Sequence, residues 1–156
     1  MKASLLRILL APLLILAATA TFAADTSAPA NDKLSAARAK IAAKDWPAAV
    51  DELKRANDPA SADWNNLMGY SLRKSGAANA AESERYYNEA LRIDPKHRAA
   101  LEYSGELYLM MGDLPKAEQR LEALDKACFL PCSEHKELKS AVAKYKANGN
   151  KYVGDW

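Results

Sequence analysis

The sequence predicts an all-α solenoid of about three helix-turn-helix repeats closed by a C-terminal capping helix. Three observations carry this. Trp64-Asn65-Asn66-Leu67-Met68-Gly69-Tyr70 is answered by Ala100-Leu101-Glu102-Tyr103-Ser104-Gly105-Glu106, so that Gly69 to Gly105 and Gly76 to Gly112 are both steps of 36 residues. A self-similar helical unit of that length marks a stacked array. Alanine is abundant and aromatics make up only 8% of the chain, which suits close helix packing better than strands. Apolar residues also recur at spacings of three and four, as in Leu138, Val142 and Tyr145, giving one stripe per helix.

The N-terminus reads as a targeting segment. Lys2 and Arg7 are followed by an apolar run of 13 residues from Ile8 to Ala20, and Thr21-Phe22-Ala23 supplies small residues around a cut after Ala23. That order is a secretory signal peptide over residues 1–23. The run is short for a spanning helix and is broken by Pro12. The expected location is the periplasm, with no membrane insertion after cleavage. Residues 24–31 are small and polar and read as a disordered lead-in. Of 22 basic residues two lie in the signal, which leaves 20 against 20 acidic ones. A neutral chain lacks the electrostatic footprint of a nucleic-acid binder.

The repeat domain is expected over 32–147. A degenerate first pair occupies about 32–58: Leu34, Ala37 and Ile41 share a face, Lys44-Asp45-Trp46-Pro47 turns, and Ala49, Leu53 and Ala56 return. Pro47 suits the first turn of a helix, and Asp58-Pro59 ends the unit. The second pair, about 61–95, starts on Ser61 as N-cap, breaks at Gly76 and stops at Asp94-Pro95. Two extra residues in Ala77-Ala78-Asn79-Ala80 stretch its period. The third, about 96–126, turns at Gly112-Asp113 and returns through Ala117, Leu121 and Leu124. After the break at 127–132, Ser133 is read as the cap of a last helix over 133–147, ended by Asn148-Gly149. Residues 148–156 read as a loose tail.

These residues resemble the tetratricopeptide repeat family. Its pattern of a small residue where paired helices cross is met at Ala37, Gly69 and Gly105, faced by Ala49, Ser83 and Ala117, with a Gly-Asp turn and terminal prolines. The whole chain is also similar to small exported bacterial repeat proteins with a Gly-Tyr-Ser-Leu-Arg-Lys stretch, here Gly69 to Lys74, and a Cys-rich break before a final helix. The resemblance implies a non-catalytic protein-binding scaffold or assembly accessory with no cofactor, whose partner is another protein or peptide segment.

In such a stack the first helices line a concave groove. Counting from the crossing positions, Arg38, Asn66, Tyr70, Glu102 and Glu106 should project into it, with Arg73 and Leu109 one turn on. This surface is basic toward Arg38 and Arg73 and acidic toward Glu102 and Glu106. Some family members grip a C-terminal carboxylate there. The two glutamates would repel one, so a segment with a basic end and an apolar anchor is expected, with Tyr70 as its main contact.

Cys128 and Cys132 are the only cysteines. In an oxidising compartment an even count favours a structural disulfide, and Pro131 breaks the helix that would hold them apart. The alternative is a metal- or thiol-handling accessory in which the pair, with His135 and Met110 or Met111, holds a soft metal or exchanges thiols. His97 stands in a turn and reads as solvated. No serine, histidine and carboxylate fall into a hydrolase motif, and no Gly-rich phosphate loop exists, so an enzyme is not expected.

Overall fold

The computed structural model describes residues 32–152 and 154. The expected signal segment at 1–23 and lead-in at 24–31 lie outside the described residues, as do residues 153, 155 and 156 of the tail.

Seven α-helices and no strand occur among the described residues: α1 (Ser35–Ala42), α2 (Trp46–Ala56), α3 (Ala62–Lys74), α4 (Ala80–Ile93), α5 (Arg98–Met110), α6 (Leu114–Ala127) and α7 (Ser133–Ala147). A 3-10 turn, Ala77–Asn79, takes up the extra residues between α3 and α4. The chain is an all-α helical repeat of the tetratricopeptide type. α1 pairs with α2, α3 with α4 and α5 with α6, and each second helix packs on the first helix of the next pair.

Local chemistry explains where the helices start. Asp45, Ser61 and Asp113 each accept a hydrogen bond from the backbone N–H three residues on, at Ala48, Trp64 and Lys116. Each satisfies one of the donors a helix start leaves open. The tight turn between paired helices needs a left-handed residue. Gly112 supplies it at φ 80°, and in the first pair Lys44 takes the same place at φ 57°. Ser133 is not the cap of α7. The N-cap is Cys132, without a side-chain cap bond, and the Ser133 hydroxyl donates to Glu134 instead.

The core forms three successive patches. Leu34, Ala37, Val50, Leu53, Trp64, Leu67 and Met68 join the first three helices. Tyr87, Ala90, Ala100 and Leu107 join the middle ones, and Leu101, Tyr108, Leu109, Ala117, Leu124, Leu138, Val142 and Tyr145 join α5, α6 and α7. Contacts run from neighbour to neighbour, as a solenoid requires. Within the first patch a polar link also stitches two pairs: Trp64 Nε1 donates to the Leu53 carbonyl at 2.7 Å, across the junction of first and second pair.

The crossing positions show what small residues permit. A Cβ on Gly69 would stand 2.9 Å from the Tyr87 ring and 3.2 Å from the Ser83 carbonyl of α4, its partner helix. A Cβ on Gly105 would instead meet Leu138 of α7, at 2.5 Å from Cδ2. The sequence pairing of Gly105 with Ala117 alone therefore misses the tighter neighbour. α7 packs on α5 and α6 as the first helix of a further pair would.

Candidate functional site

A cleft of about 500 Å³ opens between α3, α5 and α7. α3 contributes Tyr70, Arg73 and Lys74, and α5 contributes Glu102, Tyr103 and Glu106. Glu137, Ser140, Ala141, Lys144 and Tyr145 come from α7, and Tyr152 and Gly154 of the tail close one side. Four of the seven residues expected to line a groove, Tyr70, Arg73, Glu102 and Glu106, thus meet in one cavity.

The other three lie elsewhere. Arg38 is exposed on α1, where it pairs with Asp32 at 3.6 Å and Asp63 at 3.1 Å. Asn66 is buried, its Oδ1 without a hydrogen-bond partner among the described residues. Leu109 sits in the core of α5, α6 and α7 at 1% exposure. Helical geometry accounts for this. A residue four beyond a crossing glycine is rotated only about 40° from it, at 3.6 residues per turn, and so enters the seam between helices. Leu109 ends there. Arg73 stands at the equivalent place, but its longer side chain carries the guanidinium out to the cleft.

Arg73 organises the site. It is 3% exposed and donates from Nη1 to Glu106 Oε2 at 2.8 Å. Its guanidinium carbon lies 5.5 Å from the Tyr70 ring centre and 5.6 Å from that of Tyr103. The two rings are themselves 4.7 Å apart, and Trp46 meets Tyr70 edge-on at 5.8 Å. Burial opposes the Arg73 charge, but the oxygens of Tyr87 and Glu106 outweigh it and hold the group above its ordinary pKa. The basic end expected at Arg73 is therefore already neutralised by Glu106. Burial raises the Tyr70 hydroxyl pKa and, with the Glu102 charge beside it, pushes that of Tyr103 up to about 12. The tyrosines are neutral rims rather than proton donors.

Glu102 differs. It is 5% exposed, and no ion pair joins it to a described cation. Burial, then the Glu106 and Glu137 charges, push its carboxyl up to about 8. Its site was legible as a groove position but its environment was not, because Glu137 belongs to a helix read only as a cap. Lys144 and Tyr145 were missed for the same reason. Their signal was in the sequence: α7 begins 35 residues after α5, close to the repeat period.

Away from the cleft, Cys128 and Cys132 form a disulfide with Cα atoms 5.9 Å apart. Both sulfurs are thus engaged, and His135 Nε2 lies 3.7 Å from Asp125. Among the described residues no group of three or more His, Cys, Asp or Glu is placed to hold a metal ion. The metal- or thiol-handling reading gains nothing from this geometry. The loop that the disulfide closes presents Phe129 fully exposed and Leu130 at 71% exposure. His97 is not solvated. At 12% side-chain exposure it caps α5, its Nδ1 accepting from the Ala100 N–H, which leaves Nε2 to donate to Asp63 at 2.9 Å. With both nitrogens occupied it is no general base.

A tetratricopeptide repeat family model matches residues 72–145. The match covers just under half of the chain and runs from the end of α3 through most of α7. It includes the helix read from sequence as a cap, and it supports a place among the tetratricopeptide repeat proteins, whose repeats generally mediate protein–protein interaction and are typically non-catalytic. No curated protein matches the chain. No helix among the described residues is long and apolar enough to cross a membrane.

Proposed function

We propose that the chain is an exported, non-catalytic scaffold or assembly accessory of the bacterial periplasm that holds a segment of another protein in the cleft of α3, α5 and α7. The observation that carries this reading is the cleft itself. Its walls are supplied by α3, α5 and α7, it places Tyr70 and Tyr103 where an apolar anchor could pack, and its lining carries Glu102, Glu106 and Glu137 alongside Arg73, Lys74 and Lys144. Aromatic side chains in partly desolvated pockets are the usual energetic centres of interfaces. Export is supported by the order of charged, apolar and small residues in 1–23. The partner segment carries a basic group and an apolar anchor, and a free C-terminal carboxylate is disfavoured by Glu102 and Glu106.

The test is partner capture from envelope extract with two variants. Tyr70→Ala removes the anchor surface, and Ser140→Trp fills the cleft from an exposed position on α7. Both should abolish capture while circular dichroism stays helical. Unchanged capture by both would move the binding site elsewhere.

A further inference from the structure

The chain turns back on itself where α7 ends. Asn148 caps the helix, and Gly149 and Asn150 both take left-handed backbone, at φ 67° and 60°. The Gly149 N–H donates to the Lys146 carbonyl at 3.2 Å, and the Asn150 N–H donates to the Tyr145 carbonyl at 3.0 Å. This pair of bonds reverses the chain at a helix end, and glycine and asparagine are the residues that tolerate such backbone. The Asn148 side-chain amide then donates to the Lys151 carbonyl at 3.3 Å and holds the returning chain against the cap. The first residues of the tail are thus aimed back at the helix they leave.

What they reach is the cleft. Tyr152 packs, half-buried, on the core patch that contains Leu138, Val142 and Tyr145. Tyr152 and Gly154 line the same cavity as Tyr70, Tyr103 and Glu106. Gly154 lies so close to the Tyr152 ring that a Cβ there would run into its hydroxyl. The hold is nevertheless light. Lys151 and Gly154 are exposed, and the bond from Asn148 to Lys151 is long and open to water. A segment with few buried contacts and exposed hydrogen bonds opens at low cost.

We propose that Tyr152 and the residues around it form a strap that occupies the cleft in place of the partner segment and swings out when that segment seats. The proposal rests on the cleft being the partner site. Because the strap is tethered to α7, it meets the cleft at an effective concentration on the order of millimolar and needs no strong contact to stay there. A partner binds with its affinity reduced by the fraction of chains whose strap is open. A strap shut about nine times in ten lowers the affinity about tenfold.

The experiment compares the full chain with two variants of it. The probe is the synthetic peptide Lys-Tyr-Val-Gly-Asp-Trp, the sequence of residues 151–156. Tyr152→Ala removes the ring of the strap. Asn150→Pro destroys the reversal, since proline can neither take a positive φ nor donate the bond to Tyr145. Asn150 is exposed and stands outside the cleft lining, so this second variant leaves the walls intact. The ring signals of Tyr70 and Tyr103 are followed by NMR as peptide is added. Both variants should show a saturable shift, with an affinity about tenfold tighter than that of the native chain. The same peptide with alanine for its tyrosine should give none. Equal affinity in all three chains, or no saturable shift in any, would overturn the proposal. So would a native chain that sediments as a dimer while Tyr152→Ala sediments as a monomer, because the tail would then sit in a second copy. The strap and the partner site fail separately. Peptide affinity unaltered by the two variants, with envelope capture still dependent on Tyr70, would remove the strap alone. The expected peptide competition, with capture indifferent to Tyr70→Ala and Ser140→Trp, would keep the strap and remove the partner site.

Discussion

Leu138 of α7 occupies the space that a side chain on Gly105 of α5 would need. The separation of 2.5 Å from an added Cβ is well inside contact distance, and Leu138 is fully buried, so it has nowhere to retreat. Helix propensity favours Gly105→Ala by about 0.5–1 kcal/mol, but overpacking of a filled core opposes it by about 1–3 kcal/mol. The second effect wins. Denaturant melts should show net destabilisation. Truncating Leu138 to Ala should cost less in that background than the roughly 2–5 kcal/mol anticipated in the native one. Additive effects would separate the two residues.

Glu102 gives stability a pH slope of known sign. Its folded pKa is about 8 against an ordinary value of 4.5, so between these the folded state binds more protons than the unfolded one. The contribution of this group is complete below pH 4.5 and is lost as pH rises through 8. Glu102→Gln keeps the shape and cannot ionise. Its melting temperature relative to the native chain should therefore climb steadily from pH 5 to pH 8. A difference that stays constant across that range would contradict the assignment.

Arg73 and Glu106 test the centre of the cleft. Glu106→Gln leaves a guanidinium that is 3% exposed without its countercharge. Stranding a buried charge is expected to lower stability by about 3 kcal/mol. Combining it with Arg73→Met should recover most of that loss, because the stranded charge then disappears. Urea midpoints of the two single variants and the double variant decide the matter, and a double variant weaker than either single would show the pair to be needed for other reasons.

The disulfide between Cys128 and Cys132 closes a short loop, so its removal should lower stability by only about 2 kcal/mol in the chain-entropy view. Replacing both cysteines with serine should reduce the melting temperature modestly and leave capture by the cleft intact, since neither cysteine lines it. Loss of capture with an unchanged melt would point to a direct role for the loop.

Much of this architecture was legible because its determinants are local. Gly76, Gly112, Asp113 and the prolines act within a few residues of themselves, and the recurrence of Gly69 at Gly105 reports a packing need directly. The contents of the cleft were half legible. Tyr70 and Glu106 lie one residue past a glycine and face outward by rotation alone. Asn66 and Glu102 lie three before one and share nearly the same direction, yet both are buried, because a following helix covers that side. Arg73 and Leu109 occupy equivalent places with opposite outcomes, decided by side-chain length and polarity rather than register. The role of α7 was hidden because its companion second helix is missing among the described residues. Nothing in its own stripe distinguishes a lid over the last core patch from a wall of the cleft. That distinction rests on Leu138 meeting Gly105, a contact between residues 33 positions apart.

Asp63 holds Arg38 of the first pair at 3.1 Å and His97 of the third pair's N-cap at 2.9 Å, so one exposed carboxylate ties three consecutive units along a single rim. Attractions between exposed charges weaken as salt is added, whereas buried apolar contacts do not. The Arg38 half of this rim therefore loosens as salt is added, while the His97 half, a hydrogen bond from a largely buried ring, and the spine of packed side chains keep their grip.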